Sequence, residues 1–273
     1  MSKVRLDVEM VRRGLSPSRE RARAEIMAGE VRVNGIRAEK AGQEITENAE
    51  ITVVSAAIPF VSRGGLKLDK AVKVFPIDLH DRVCADIGAS TGGFTDVMLQ
   101  NGANHVYAID VGYGQLDWSL RNDPRVTVME RTNARNMTPE WFSMPISFAS
   151  IDVSFISLRL ILPPLWNCLP EGGEVVALIK PQFEAGRGEV GKNGVVRELK
   201  IHERVCREIM EFADDVGFTV KGLSYSPITG PKGNIEFLLY IQKCSPKNIP
   251  DRLYFSEISQ KTAELAHKTD AFS

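Results

Sequence analysis

The chain has 273 residues, of which 43% are hydrophobic and 25% charged, with a formal net charge of −1. That length holds a large core and a small second domain, and the near-neutral balance means that any nucleic-acid surface has to be local. The four cysteines, Cys84, Cys168, Cys206 and Cys244, form no C-x-x-C pair, MSKVRLDVEM has no apolar signal core, and no apolar run nears the roughly 20 residues of a bilayer span. Neither a zinc or disulfide framework nor a membrane protein is indicated, and a cytoplasmic location is expected.

Residues 1–58 have a pattern of their own. Leu6, Met10 and Val11 mark a short helix stopped by Gly14, and Ser16 or Ser18 caps a second helix carrying Ala22, Ala24, Ile26 and Met27 and ending at Gly29. VRVNGIRA reads as a hairpin about Asn34-Gly35, and Ile51 to Val54 complete a small sheet. Residues 1–40 hold ten Lys or Arg against six acids, and Arg19 and Arg23 share a helix face. A basic face beside a hairpin suits RNA phosphates; a solvated face with Arg–Glu pairs, such as Arg21 with Glu25, explains the charge equally well. The landmarks Arg5-Leu6-Asp7, Gly14-Leu15, Ser18-Arg19, Gly29, Val31, Val33 and Asn34-Gly35 resemble the RNA-binding module of the ribosomal protein S-four type, an α-L fold. That resemblance implies an RNA-binding domain, with Arg5, Arg19, Arg23 and Lys40 as its contacts.

After a linker at 59–66 containing Pro59 and Gly64-Gly65, a helix begins at Lys67. Strand candidates at 82–87, 105–110, 125–129, 147–152 and 174–180 alternate with helices near 94–100, 115–121, 157–167 and 197–216. Alternation of this kind predicts an open, doubly wound parallel sheet. FTVKGLSYSPI and GNIEFLLYIQ follow as an antiparallel pair at one edge, the usual ending of a Rossmann-like methyltransferase sheet. The predicted domain extends over 67–243, and 244–273 reads as a polar, loosely docked tail with a weak helical pattern in Ile258, Ala263, Leu265 and Ala266.

DIGASTGGFTD, residues 86–96, is strand, glycine turn and helix. Its glycines read G-x-x-x-G-G, so the dinucleotide fingerprint fails. Gly88, Gly92 and Gly93 clear the backbone for a ligand, Asp86 suits a cationic amino group, and Asp110, ending the next strand, suits a ribose diol. These features favour S-adenosylmethionine, with Ala89, Ser90, Phe94 and Asp152 nearby and Asn133 and Ala134 of ERTNAR toward the adenine.

Charged residues in apolar surroundings mark the chemistry. Asp152 and Lys180 end strands, Glu236 sits within NIEFLL, and Lys67 opens the helix after the linker. A structural ion pair explains any one of them; two lysines and two acids at one sheet edge call for more. QFEAGRGEVGKNGVVR, residues 182–197, with Arg187, Lys192 and Arg197, reads as a loop that orders on RNA or cofactor, or as a plain surface loop.

VSRGGLKL, DIGASTGGFTD, IDVSFISL, IKPQFEAGR and GNIEFLL resemble the TlyA (hemolysin A) family of ribosomal RNA methyltransferases, whose catalytic domain is akin to FtsJ. The resemblance implies transfer of a methyl from S-adenosylmethionine to a ribose 2′-hydroxyl, that of a cytidine, by a tetrad falling on Lys67, Asp152, Lys180 and Glu236. Lys180 is then the expected base, oriented by Asp152; from ~10.4, burial and Lys67 should lower its pKa while Asp152 pulls the other way. Lys67 holds the hydroxyl or phosphate, Glu236 positions Lys67, and no metal is called for. Ribosomal RNA or ribosomal subunits are the implied partners. An RNA-binding assembly factor with a vestigial cofactor fold, and a lytic protein, are the competing classes; the intact tetrad opposes the first and the lack of long apolar segments the second.

Overall fold

Asn34 and Gly35 take φ values of 51° and 80°, the left-handed backbone that a two-residue hairpin turn requires. The computed structural model describes residues 3–16, 18–27, 29–53, 58–186, 188–191, 193–244 and 252–269. The chain forms two units, residues 1–58 and 59–273.

The first unit runs β1 (Lys3–Arg5), α1 (Leu6–Arg12), α2 (Arg19–Met27), β2 (Val31–Val33), β3 (Ile36–Arg37), β4 (Glu44–Thr46) and β5 (Ile51–Val53). β2 pairs antiparallel with both β3 and β5, while β1 and β4 form a separate antiparallel ribbon. The ribbon escapes sequence reading because each strand has three residues, too few for a period to show. Of the two candidate caps it is Ser18 that acts, its Oγ accepting from the Arg21 N–H at 3.1 Å. Leu6, Met10, Ala22, Ile26, Val31 and Ile45 make the core. Val54, expected at the end of β5, lies outside the described residues, as do Arg187 and Lys192 farther on.

The second unit continues with α3 (Gly65–Val74), β6 (Val83–Ile87), α4 (Gly93–Gln100), β7 (His105–Ile109), α5 (Trp118–Arg121), β8 (Val126–Met129), β9 (Phe148–Ile151), α6 (Leu162–Cys168), β10 (Glu174–Ile179), α7 (Pro181–Glu184), α8 (Leu199–Val216), β11 (Phe218–Tyr225), β12 (Phe237–Lys243) and α9 (Arg252–Lys268). The seven strands lie in the order β11-β12-β10-β9-β6-β7-β8. Neighbours from β10 to β8 are parallel, and β12 is antiparallel to both β10 and β11. Thus β12 is slotted inside the sheet rather than placed at its margin, and β11 forms the edge. Ile201, Val205, Ile209 and Ala213 of α8 pack with Ala85, Ile87, Ile151, Ile179 and Leu239 of the sheet.

Two expectations are corrected. The segment at 59–66 is not a free linker: Phe60 is buried, Val61 N–H donates to Asp96 Oδ2 at 2.8 Å, and the helix already begins at Gly65. Nor is the C-terminal stretch loosely docked. α9 buries Phe255, Ser259, Thr262, Ala263 and Ala266, whereas Leu265 faces solvent. Ser259 and Thr262 supply two of those five buried positions, so hydrophobicity understates the helix.

Candidate active site

An open parallel sheet gathers functional side chains beyond its strand carboxyl ends. Asp152 is the first residue after β9 and Lys180 the first after β10. Glu236 immediately precedes β12 rather than lying within it. Because β12 is antiparallel, with Phe237 opposite Ile179, its start meets the ends of its parallel neighbours and brings Glu236 beside them. Lys67 reaches in from the first turn of α3.

The four form a line of alternating charge. Lys67 Nζ lies 2.7 Å from Glu236 Oε2 and 3.2 Å from Asp152 Oδ2, and Lys180 Nζ lies 2.5 Å from Asp152 Oδ1. Lys180 also donates to Ser154 Oγ at 3.0 Å. Both lysines and Glu236 are buried. Burial opposes the charge on Lys67, but Asp152 and Glu236 outweigh it and raise its pKa, so Lys67 is firmly an ammonium. Burial likewise opposes the Asp152 carboxylate, and the two lysines overcome it and hold its pKa below the usual range. Each buried carboxylate thus faces a lysine, and neither acid is left without a partner.

Two cavities adjoin this line. The first, about 610 Å³, is lined by all four residues and by Gly88, Ala89, Ser90, Gly93 and Phe94. The second, about 850 Å³, is lined by Asp110, Asn133 and Ala134 together with Ile109, Ile156 and Leu160. They share Gly88, Ser90, Asp152, Ser154, Phe155 and Phe183, and the last two rings stand 5.1 Å apart. The Asp110 carboxylate accepts from Ser90 N–H at 2.8 Å and Gly112 N–H at 2.7 Å. A carboxylate has about four acceptor positions, so two remain for a diol. Apolar walls, a carboxylate with spare acceptors and a nearby lysine–carboxylate line fit the nucleoside and sulfonium parts of S-adenosylmethionine.

Asp86 and Gly92 do not belong to these cavities. Asp86 is fully buried: Oδ2 accepts from Thr95 N–H and Thr95 Oγ, at 2.9 and 2.7 Å, and Oδ1 from Ser150 Oγ at 3.0 Å. It lies inside β6, one residue before its end, so its side chain stands perpendicular to the sheet and locks the first turn of α4. Gly92, at φ 98°, has no room for a Cβ against Leu116 and Leu120. Gly88 is crossed by the Asp152 carbonyl, and Gly93 by Ser62 and the Gly65 backbone. These glycines serve close approaches within the protein, in addition to any approach by ligand at Gly88 and Gly93.

Ser154, the Phe155–Phe183 pair and Glu184 were missed by sequence reading. The signal for Ser154 was a polar residue in the loop directly after a strand end. Glu184 binds Ser157 Oγ at 2.6 Å and the Leu158 N–H at 2.8 Å, fixing that loop. Phe155 has φ 63° and is 90% exposed, a strained backbone for a bulky residue. Of the 182–197 stretch, α7 and the end near Val196 are already folded: Asn234 accepts from Val196 N–H at 3.0 Å and donates to Gly194 O at 2.9 Å. In the first unit Arg5, Arg19 and Arg23 all reach the buried Asp7, at 2.9 to 3.3 Å, while Lys40 is exposed. Arg21 does pair with Glu25, at 3.0 Å.

A doubly wound sheet with one antiparallel strand and ligand-sized cavities at its strand ends defines the methyltransferase class of α/β proteins. Residues 60–243 match the FtsJ-like methyltransferase model, and residues 4–51 match the S4 domain model. The chain belongs to the FtsJ-like methyltransferase family and carries an S4 domain at its N-terminal side. It is 53% identical to Bacillus subtilis YqxC, provisionally named an rRNA methyltransferase, over 98% of this chain and 95% of that one. It is 46% identical to the Mycobacterium tuberculosis 16S/23S rRNA (cytidine-2′-O)-methyltransferase TlyA, over 88% and 90%. A solved structure from Streptococcus thermophilus that carries a hemolysin designation superposes with a TM-score of 0.77 at 50% identity, covering 98% of both chains. Among the described residues no helix is long and apolar enough to cross a membrane.

Proposed function

We propose that this protein transfers a methyl group from S-adenosylmethionine to a ribose 2′-hydroxyl of ribosomal RNA, that of a cytidine, in the cytoplasm. The observation that carries the reading is the buried line Glu236–Lys67–Asp152–Lys180 on the wall of the first cavity. In this reading the S4 domain holds RNA and residues 67–243 catalyse.

The cofactor supplies an electrophilic methyl on a sulfonium; the protein has to make a poor nucleophile, a ribose hydroxyl, reactive toward it. Counting hydrogens separates the two lysines. A neutral amine has two N–H bonds and one lone pair. Lys180 donates one N–H to Ser154 and lies 2.5 Å from Asp152 Oδ1; in the neutral form that the step requires, its lone pair is left for the hydroxyl proton. Lys67, held as an ammonium by two carboxylates, keeps one N–H for the hydroxyl oxygen or the adjacent phosphate. As the ribose oxygen would take the methyl and the methyl–sulfur bond would break to leave a neutral thioether, the hydroxyl proton would pass to Lys180 Nζ. Asp152 orients Lys180, and Glu236 fixes Lys67. Asp110, Asn133 and Ala134 hold the nucleoside, and positioning supplies much of the rate.

Tritium transfer from labelled S-adenosylmethionine to purified ribosomal subunits lacking the modification tests the reading. Wild type should label RNA and Asp152→Asn should not. Equal background counts from both would reject it in favour of an assembly factor.

A further inference from the structure

We propose that Tyr113, Arg131 and Trp118 form a stacking surface for unpaired bases of the RNA substrate, beside the cavity that holds Asp110. The inference rests on the RNA-methylation reading and adds to it a contact surface on the catalytic unit itself. Trp118 is 77% exposed and Tyr113 68% exposed, although each ring has ample apolar area to bury. The Arg131 guanidinium lies over the Tyr113 ring, 4.2 Å from its centroid, and Arg131 itself holds a left-handed φ of 53°.

These side chains are presented on a clamped scaffold. Arg131 N–H donates to Gly112 O at 2.9 Å, and Gly114 N–H donates to Glu130 Oε1 at 2.8 Å. Arg121 joins the same carboxylate at 2.5 Å. Asp117, which caps the turn carrying Trp118, donates its N–H to Thr91 O at 3.1 Å, next to the wall of the first cavity. Gln115, between the two rings in sequence, lines the second cavity.

The chemistry selects the occupant. Flat aromatic and guanidinium faces stack any nucleobase, and single-stranded RNA is recognised in that way. Among the described residues neither Arg131 nor Arg135, on the cavity rim, takes part in an ion pair, so their charge is left for phosphate. An apolar protein partner would leave that charge uncompensated.

Binding of a fluorescein-labelled, mixed-sequence single-stranded RNA to the full chain, followed by anisotropy and by tryptophan emission, tests this. Trp118→Ala and Tyr113→Ala should each weaken binding roughly ten-fold, with the salt dependence unchanged. Trp118→Phe, which keeps a π face, should restore most of the affinity but lose the emission quench seen with wild type. Melting curves check that each variant is folded. Affinities within two-fold of wild type in both alanine variants, or no quench at RNA saturation, would overturn the proposal. So would weakening seen with whole ribosomal subunits and not with naked RNA, which would mark a protein contact instead. Normal methyl transfer with unaffected variants rejects the stacking surface alone. Stacking-dependent RNA binding without methyl transfer rejects the catalytic reading alone.

Discussion

Lys180 and Asp86 are both ionisable, buried and close to strand ends, yet they make opposite predictions. Arginine at 180 keeps the charge beside Asp152 but cannot release a proton at neutral pH. Lys180→Arg should therefore melt close to wild type while methyl transfer falls by roughly a hundredfold or more, as expected for loss of a general base. Lys180→Ala should lose both, with a stability cost of about 3 kcal/mol for breaking a buried pair. An active Lys180→Arg enzyme would move the base elsewhere. Asp86 concerns stability rather than turnover. Burial lifts its carboxyl from 3.8 to about 6, against the donors of Thr95 and Ser150. Between those values the folded state holds a proton that the unfolded chain has lost, so its contribution is full below about pH 4 and falls as pH rises through 6. Asp86→Asn keeps an acceptor for Thr95 and an amide for Ser150 while removing that titration. From pH 4 to pH 7 the variant should gain about 2 kcal/mol relative to wild type in urea unfolding. A pH-independent difference would show that the carboxyl stays ionised throughout.

Beside their shared apolar core, α1 and α2 are joined by one carboxylate. Asp7 has no exposed side-chain surface, yet Arg5, Arg19 and Arg23 around it are each about half exposed. The Arg5 hydrogen bond leads in holding the Asp7 carboxyl far below the usual range, so the fork persists across the physiological scale. Asp7→Asn would add one positive charge to the cluster but lose its organiser. If bare charge binds RNA, affinity should rise; if the fixed fork matters, it should fall several-fold, and we expect the fall, with cofactor affinity unchanged by calorimetry. At the other end of the chain, His202 of α8 and His267 of α9 share one hydrogen bond of 2.8 Å between ring nitrogens. Burial first, then the neighbouring His267, pushes His202 from 6.5 down to about 4. Its contribution is thus complete above about pH 6.5 and lost as the pH falls toward 4. Hydrogen exchange, corrected for intrinsic rates, should show α9 loosening between pH 7 and pH 5 in wild type. His202→Phe should reduce that dependence to the part left by His267, which burial also lowers, and identical profiles for the two proteins would contradict the assignment.

Across the whole molecule, what could be read in advance follows from where each signal resides. Apolar strands alternating with helices make the sheet legible, and a charge in such a strand marks Lys180 and Glu236 without any structure. Strand order is carried by no local period, so the insertion of β12 beside β10, which delivers Glu236 to Lys67, was hidden. Asp86 was misplaced for a different reason. Asp110 and Asp152 each follow the last residue of a strand and line a cavity, whereas Asp86 precedes Ile87 within β6 and faces α4. One position along a strand exchanges the ligand side for the core. The three arginines were read as an RNA face, but their shared anchor, Asp7, sits twelve and sixteen residues from two of them and could not be inferred from spacing. The central claim, that the methyl lands on a ribose hydroxyl, is tested most directly by the fate of the labelled RNA in alkali. Alkali cleaves RNA through the free 2′-hydroxyl, and a 2′-O-methyl blocks the cut at its own nucleotide. RNA labelled by the protein from tritiated S-adenosylmethionine should release its counts in alkali-resistant dinucleotides; counts recovered in mononucleotides would place the methyl on a base and contradict the account.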